Sequence, residues 1–336
     1  MFYKLSEKKC CHLDLFFVLP GWQSARMENI SYDSDTLTIQ GLEMSESSTY
    51  PVFFTLLFVY IALLISNIGV VFIIIAERRL HEPMYLLFCN LSVNDILGNT
   101  ILLPHLLYDM VSKNRFMSYN ACVTQAFFTQ TYGSASHTIL IIMAIDRYVA
   151  ICNPLRYSAI MTAKAVVTLS VSAWAVSVVL VGVLVSLSVR LSRCTSVIPN
   201  FYCDNASLFK LSCEDVSINN IYGLFYTVVL CSSSMGTVAV TYIRIAIICR
   251  TKKNAELNSK AIQTCASHLV LYLIMLLTGF IIVIMHRFPE YPFLRRLVAI
   301  LFNVVPANLN PIIYGIQTKQ LRLKILQIFG RKITPS

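Results

Sequence analysis

The sequence predicts an all-α membrane protein, a bundle of seven transmembrane helices followed by a short amphipathic eighth helix. Hydrophobic residues make up 56% of the 336 residues and charged residues 13%, which is more apolar than a soluble core of this size requires. Seven apolar segments are long enough to cross a hydrocarbon core, for which about 20 helical residues are needed. Lys and Arg concentrate in every second connection, as expected of a chain that crosses the membrane repeatedly.

All seven segments are predicted to be helices. Backbone polar groups in lipid must be satisfied within the protein, and these segments are far longer than the strands of a membrane barrel. They cover residues 52–76, 84–107, 122–149, 165–187, 218–249, 261–286 and 294–316.

The chain therefore divides into four parts. Residues 1–26 are interpreted as a non-native or disordered extension, because their apolar run makes a poor signal peptide and Met27 offers a second start. A genuine disordered extension is the alternative. Residues 27–50 form an extracellular amino terminus, 51–316 the seven-helix domain and 317–336 a cytoplasmic tail.

Positive charge in the connections predicts the orientation. Lys and Arg accumulate on the cytoplasmic side, so the odd-numbered connections and the tail are placed there and the amino terminus outside. The net charge of +10 is explained by this topology and by contact with anionic membrane lipids, so nucleic acid is not an expected partner. The charges concerned are Arg78, Arg79, Arg156, Lys164, Arg250, Lys252, Lys253, Lys260, Lys319, Arg322, Lys324, Arg331 and Lys332.

The most specific motif lies at 143–162, which reads MAIDRYVAICNPLRYSAIMT. Asp146, Arg147 and Tyr148 stand where an apolar segment meets a basic loop. An arginine is costly in lipid, so it must be paired or reach the interface, and Asp146 is its nearest partner in sequence. The run resembles the odorant-receptor branch of the rhodopsin-like seven-helix receptors. An arginine that only extends to the interface is the alternative explanation.

Two further motifs carry the same resemblance: NLNPIIY at 308–314, and the Lys, Thr-Cys and Ser-His groups between 260 and 268. The resemblance implies a switch and a docking surface for a heterotrimeric G protein, formed by Asp146, Arg147, Tyr148, Tyr242, Lys260, His268, Asn310, Pro311 and Tyr314. It also implies a polar network of Asn67, Asp95 and Asn310, for which a purely structural role is the alternative. No cofactor is expected except a sodium ion that could bind near Asp95.

Four of the eleven cysteines lie on the predicted outer side, where an oxidising environment lets them pair. Four cysteines allow three pairings, and their spacing does not choose among them. The resemblance of the loop at 200–213 to the second outer loop of odorant receptors implies Cys122–Cys203 and Cys194–Cys213. Sequons at Asn29 and Asn205 predict glycosylation on the same side.

Polar residues of the third helix predict the ligand cavity. Gln130, Gly133, Ser134 and His137 follow i, i+3, i+4, i+7 spacing and therefore share one face of an apolar segment. Polar faces in a membrane bundle point inward, and small-molecule sites lie between helices. Further lining is expected from Tyr222, Tyr226 and Asn303. Hydrogen bonding between helices explains each of these residues equally well.

A short motif near the end of the sixth segment suggests the kind of ligand. His286-Arg287-Phe288 resembles the His-Arg-Phe of fish-like, class I odorant receptors, which implies water-soluble odorants, including carboxylates. Arg287 offers a planar fork of donors for a carboxylate, and protonated His286 could add another. Anchoring at the headgroups, or a pair with Glu290, are the alternatives.

After the last segment, Leu321, Ile325, Ile328 and Phe329 recur on one helical face between basic residues, which predicts an amphipathic helix on the inner leaflet.

The resemblance implies an odorant receptor of the plasma membrane that activates a stimulatory G protein and raises cyclic AMP. A transporter or channel would show inverted repeats, and the sequence shows none. An enzyme would need paired catalytic groups at depth, where Asp95 stands alone. A non-olfactory receptor of the rhodopsin-like class is a further alternative.

Overall fold

The computed structural model of the chain describes residues 35–42, 44–112, 115–251, 255–285 and 291–317. Within this part, seven long helices are apolar enough to cross a membrane, as predicted. The amino-terminal extension, the Asn29 sequon, His286, Arg287 and the predicted tail helix lie outside the described residues. The spanning helices are α1 (Glu46–Ala76), α2 (Pro83–Val111), α3 (Tyr119–Cys152), α5 (Ala163–Val189), α7 (Ser217–Thr251), α8 (Ala255–Met285) and α9 (Pro292–Gln317); α4 (Tyr157–Ile160) and α6 (Asn205–Phe209) are short.

The helices extend slightly beyond the predicted segments. Helix α1 begins at Glu46 and contains Pro51 in its second turn, where the missing N–H removes one helical hydrogen bond. Helix α2 begins with Pro83 in its first turn and continues to Val111. The predicted segments include only the apolar part of each helix, which crosses the lipid. The first and last turns are more polar, and backbone hydrogen bonds continue the helix through them.

A small three-stranded sheet, which the sequence did not predict, covers one end of the helices. Strand β1 (Thr36–Ile39) pairs antiparallel with β2 (Phe116–Ser118) and parallel with β3 (Val197–Ile198). Leu37 and Ile39 are buried while Thr36 and Thr38 are exposed, the alternation expected of a strand with one packed face. The sheet thus joins the segment before α1 to two connecting loops.

Two disulfides lie at the same end, which we call the disulfide end. Cys122 is bonded to Cys203 and Cys194 to Cys213, the pairing that the resemblance implied. The backbone N–H of Cys203 donates to Gln125 Oε1 of α3 at 2.8 Å, and Gln125 Nε2 donates to Ile101 O of α2 at 3.2 Å. The loop before α7 is therefore fastened to α2 and α3.

Helices α2 and α3 cross closely in the middle of the bundle. A Cβ at Gly98 would lie 2.5 Å from the ring of Tyr132, so a larger residue would force the two helices apart. Asn94 Nδ2 donates to Tyr132 O at 3.1 Å and to Ser136 Oγ at 2.8 Å across the same interface. Small residues and polar bonds of this kind drive helix association in lipid, where apolar side chains gain little from leaving the solvent.

Candidate functional site

The end of the bundle opposite the disulfides carries the charged pair predicted from the sequence, and we call it the arginine end. Arg147 Nε donates to Asp146 Oδ2 at 3.0 Å, and its Nη2 bonds the same oxygen. Tyr157 of α4 donates its hydroxyl to Asp146 Oδ1 at 2.8 Å. Asp146 is only 1% exposed, yet both its oxygens have partners, which a buried charge requires. Tyr157 was not among the predicted site residues, although it belongs to the signature run.

A second contact at the arginine end joins α7 to α8. The hydroxyl of Tyr242 and Nδ1 of His268 lie 2.6 Å apart. His268 and Arg147 border a cavity of about 10 Å³ together with Asp146, Tyr314, Met84 and Met143. That volume holds about one water molecule, so this cavity beside Arg147 has no room for a partner helix. Tyr148 and Tyr242 pack against the same apolar cluster, while the side chain of Lys260 lies outside the described residues.

Two of the three residues of the predicted polar network are hydrogen-bonded between α2 and α9. Asn310 Nδ2 donates to Asp95 Oδ2 at 2.7 Å, and Asp95 is 1% exposed. Within the described residues, Asp95 Oδ1 and Ser92 Oγ are buried without a hydrogen-bond partner. Such groups usually hold water or an ion. Carboxylate and hydroxyl oxygens suit a hard cation, so Asp95 and Ser92 would hold a sodium ion.

Asn67 supports α9 beside Pro311 and does not bond Asp95. Its Nδ2 donates to Leu63 O of its own helix and, at 3.0 Å, to Ala307 O of α9. Ala307 lies four residues before Pro311, whose missing N–H leaves that carbonyl without its helical donor. Asn67 supplies the donor from another helix, as proline-containing membrane helices require.

The predicted ligand face of α3 points into the bundle, as expected, and His137 joins three helices there. Ser134 is 0% and His137 6% exposed. His137 Nδ1 lies 3.2 Å from Ser234 Oγ of α7, and the Tyr272 hydroxyl of α8 donates to the same oxygen at 3.0 Å. We call these three residues the His137 junction. Sequence analysis missed Ser234 and Tyr272, because serine and tyrosine in apolar helices give little signal.

The remaining predicted lining residues divide into two groups. Tyr226 of α7 and Ser134 of α3 are both buried, and their side chains lie near each other. Tyr222, by contrast, donates to Leu180 O of α5 at 3.1 Å, and Asn303 Nδ2 donates to Ala299 O of its own helix at 2.8 Å. Their polar groups are therefore committed to backbone carbonyls. Gln130 and Gly133 are half-buried.

Phe302 of α9 lies beside the predicted ligand face, although the sequence did not single it out. A Cβ at Gly133 would lie 3.6 Å from Phe302 Cζ, and one at Gly279 of α8 3.5 Å from Phe302 Cε2. The Tyr132 ring meets Phe302 edge to face with centroids 6.0 Å apart. Gly133 and Gly279, two glycines in facing apolar helices, were the only feature of the sequence that could have pointed to this position. A groove of about 640 Å³ lies elsewhere, between α1 and α2.

The environment of Asn205 argues against glycosylation there. Asn205 is 5% exposed, and its Oδ1 accepts a hydrogen bond from Ser188 Oγ at 2.7 Å. Asn219 Nδ2 donates to the same hydroxyl at 3.0 Å. A glycan is bulky and needs a surface asparagine, so the predicted modification conflicts with this buried arrangement.

Comparison with known proteins decides the family. The sequence model described as olfactory receptor matches residues 56–332. The chain belongs to the olfactory receptor family. Human olfactory receptor 52N5 is 34% identical over 275 residues, which cover 80% of this chain and 85% of that receptor. Human olfactory receptor 4E1 is 33% identical over 88% of this chain and 93% of its own length. Human olfactory receptor 10J1 is 31% identical over 94% and 98%.

This olfactory receptor is thus a G-protein-coupled receptor with seven transmembrane helices, and it is not an enzyme. Its partners are odorants and a G protein, and it is a multi-pass protein of the plasma membrane.

Proposed function

We propose that the receptor binds a small odorant between α3, α7 and α9 and then activates a stimulatory heterotrimeric G protein, which raises cyclic AMP. The observation that carries this proposal is the closed arginine end, where Arg147 is held by Asp146 and α8 is held by Tyr242. A receptor needs such a resting state, because a ligand acts by favouring one of two conformations over the other.

The disulfide end faces outward in this proposal. Disulfides form in oxidising compartments, which supports an extracellular position for Cys122–Cys203 and Cys194–Cys213. Arg78, Arg79 and Arg156 lie exposed in the connections at the opposite end, as positive residues do on the cytoplasmic side, where they also meet anionic lipids.

Activation then requires α8 to move away from α7 at the arginine end. The movement separates Tyr242 from His268 and widens the cavity beside Arg147, which exchanges Asp146 for the incoming G-protein helix. An amphipathic helix binds such a groove by its apolar face. The odorant can shift the equilibrium between the closed and the open state only by the difference between its affinities for the two states.

Replacing Arg147 with Ala tests this mechanism. The variant is expected to lose odorant-evoked cyclic AMP while surface expression stays measurable, because the docking charge is gone. Arg79→Ala, an exposed arginine at the same end, is the matched control and should keep most of the signal. Odorant-dependent exchange of guanine nucleotide on a purified stimulatory G protein would identify that protein as the one that the receptor activates. A full response from Arg147→Ala would contradict the proposal.

The ligand class proposed from the His286-Arg287-Phe288 motif is a carboxylate or another water-soluble odorant. Losing a hydrogen bond to a charged group costs about 1.5–3 kcal/mol, so Arg287→Ala should weaken acid agonists roughly tenfold or more and leave their esters unchanged. Arg190→Ala, an exposed arginine at the disulfide end, controls for the change in charge. Equal losses for acids and esters would show that Arg287 does not read the ligand's charge.

A further inference from the structure

Two glycines from different helices form a narrow seat for the outer edge of the Phe302 ring. Cβ atoms at Gly133 of α3 and Gly279 of α8 would lie 3.6 and 3.5 Å from neighbouring atoms of that edge, Cζ and Cε2. The distances correspond to van der Waals contact, so a methyl group fits but a longer side chain would enter the space of the ring. We call this space the ring seat.

Gly133 and Gly279 differ from the other helical glycines of the described residues because the two of them face one ring, whereas Gly98 alone faces the ring of Tyr132. Glycine is the least favourable residue apart from proline inside a helix, so two of them beside one aromatic ring call for an explanation. Within the described residues, Cβ atoms at Gly182 and Gly236 would meet nothing within 4 Å. Those two glycines leave space open, whereas Gly133 and Gly279 make space that Phe302 fills.

The position of the seat connects it to the ligand. Gly133 belongs to the face of α3 that carries Ser134 and His137, and Tyr132 holds the Phe302 ring by its edge. The two glycines make room for the outer edge of a six-membered ring, which is the shape that the seat accepts. Apolar cavities of this kind bind small aromatic molecules when the protein's own side chain is removed.

We propose that Phe302 limits the size and shape of the odorants that this receptor accepts, because its ring holds the seat that an aromatic odorant would otherwise take. The proposal deepens the proposed function and rests on it. The native receptor accepts ligands that fit beside Phe302, and shortening Phe302 admits small neutral aromatic molecules between α3 and α8.

Binding of toluene to the purified receptor in lipid nanodiscs tests the seat without any G protein. Toluene is expected to raise the unfolding temperature of Phe302→Ala and to bind that variant at least about tenfold more tightly than the unchanged receptor, since apolar pockets discriminate by at least this factor. Phe72→Ala removes an exposed phenylalanine of α1 and should gain no toluene binding.

A second substitution locates the bound molecule. Phe302→Ala combined with Gly279→Leu refills the seat and should abolish toluene binding, whereas Phe302→Ala combined with Gly236→Leu places the same side chain in open space and should keep it. Equal toluene binding by Phe302→Ala and the unchanged receptor, or binding that survives Gly279→Leu, would overturn the proposal.

If Phe302→Ala does not fold, Phe302→Leu, which keeps most of the apolar volume, can be tested in its place. Its cyclic AMP responses should shift toward ring-containing odorants relative to acyclic ones of similar size, and an unchanged ranking would count against the proposal. Loss of every cyclic AMP response with toluene binding intact would instead refute the signalling mechanism, so the two failures are distinguishable.

Discussion

At the scale of single residues, the hydroxyl of Tyr157 stabilises the charged pair at the arginine end. Tyr157 occupies the Asp146 oxygen that Arg147 leaves free. Burial, and then the nearby Asp146 carboxylate, raise the pKa of Tyr157, so it remains a protonated donor at physiological pH. Asp146 is consequently fixed in place, and Arg147 with it, until α8 moves.

Tyr157→Phe is expected to raise ligand-independent signalling. The substitution keeps the ring and removes a hydrogen bond to a charged group, worth about 1.5–3 kcal/mol, which weakens the resting state. Basal cyclic AMP at matched surface expression should rise several-fold. Tyr108→Phe, on an exposed tyrosine of α2, should leave it unchanged. Basal signalling equal to that of the unchanged receptor would mean that Tyr157 does not stabilise the closed state.

Asn67 offers a second test at this scale. Asn67→Ala leaves the Ala307 carbonyl, already deprived of a donor by Pro311, buried and unpaired. An unsatisfied buried group costs about 1–3 kcal/mol, so the thermal unfolding temperature of the purified receptor should fall clearly. Ser66→Ala is a suitable control, because Ser66 Oγ bonds only the Leu63 carbonyl of its own helix. An equal fall in unfolding temperature in the two variants would show that Asn67 has no special role.

At the scale of helices and strands, the sequence predicts what depends on local pattern. The seven apolar segments and the inward face of α3 follow from length and spacing, and the structure places Ser134 and His137 inside as predicted. Strands β1 and β3 are four and two residues long, and their pairing depends on segments far apart in sequence. No local signal distinguishes them from loop.

Partners on other helices could not be predicted for the same reason. Which residues of α7 and α8 face His137 depends on the height and rotation of each helix, and these are set by packing over the whole bundle. The contacts of Ser234 and Tyr272 with His137 and with each other could therefore not be predicted from the sequence. Phe302 was missed similarly, although Gly133 stood among the predicted residues and marked one side of its seat.

The His137 junction should influence the position of α8. Tyr272→Phe removes the bond to Ser234 and keeps the ring against His137. A typical internal hydrogen bond contributes about 0.5–1.5 kcal/mol, so the ratio of closed to open receptor should change about two- to tenfold. A matching shift in basal cyclic AMP is expected. Thr278→Val, on a hydroxyl that bonds only within α8, should show none. If both variants behave alike, the junction does not couple the helices.

At the scale of the whole molecule, a sheet and two disulfides cross-link the disulfide end of the bundle. The sheet connects the segment before α1 to the loops before α3 and α7, and Gln125 fastens Cys203 to α2 and α3. The two disulfides contribute unequally to this cross-linking, because they close chain segments of different length: Cys122 and Cys203 are separated by 81 residues, Cys194 and Cys213 by 19.

Loss of the longer closure should therefore be the more damaging. The chain-entropy relation gives about 4.5 kcal/mol for the longer loop and about 3 kcal/mol for the shorter one. Cys122→Ser with Cys203→Ser should reduce delivery to the cell surface and lower the unfolding temperature more than Cys194→Ser with Cys213→Ser. Replacing both partners avoids stray thiols and makes each pair a control for the other. A larger loss from the shorter loop would mean that native contacts around Cys194 and Cys213, and not constraint of the unfolded chain, dominate the stability of this end.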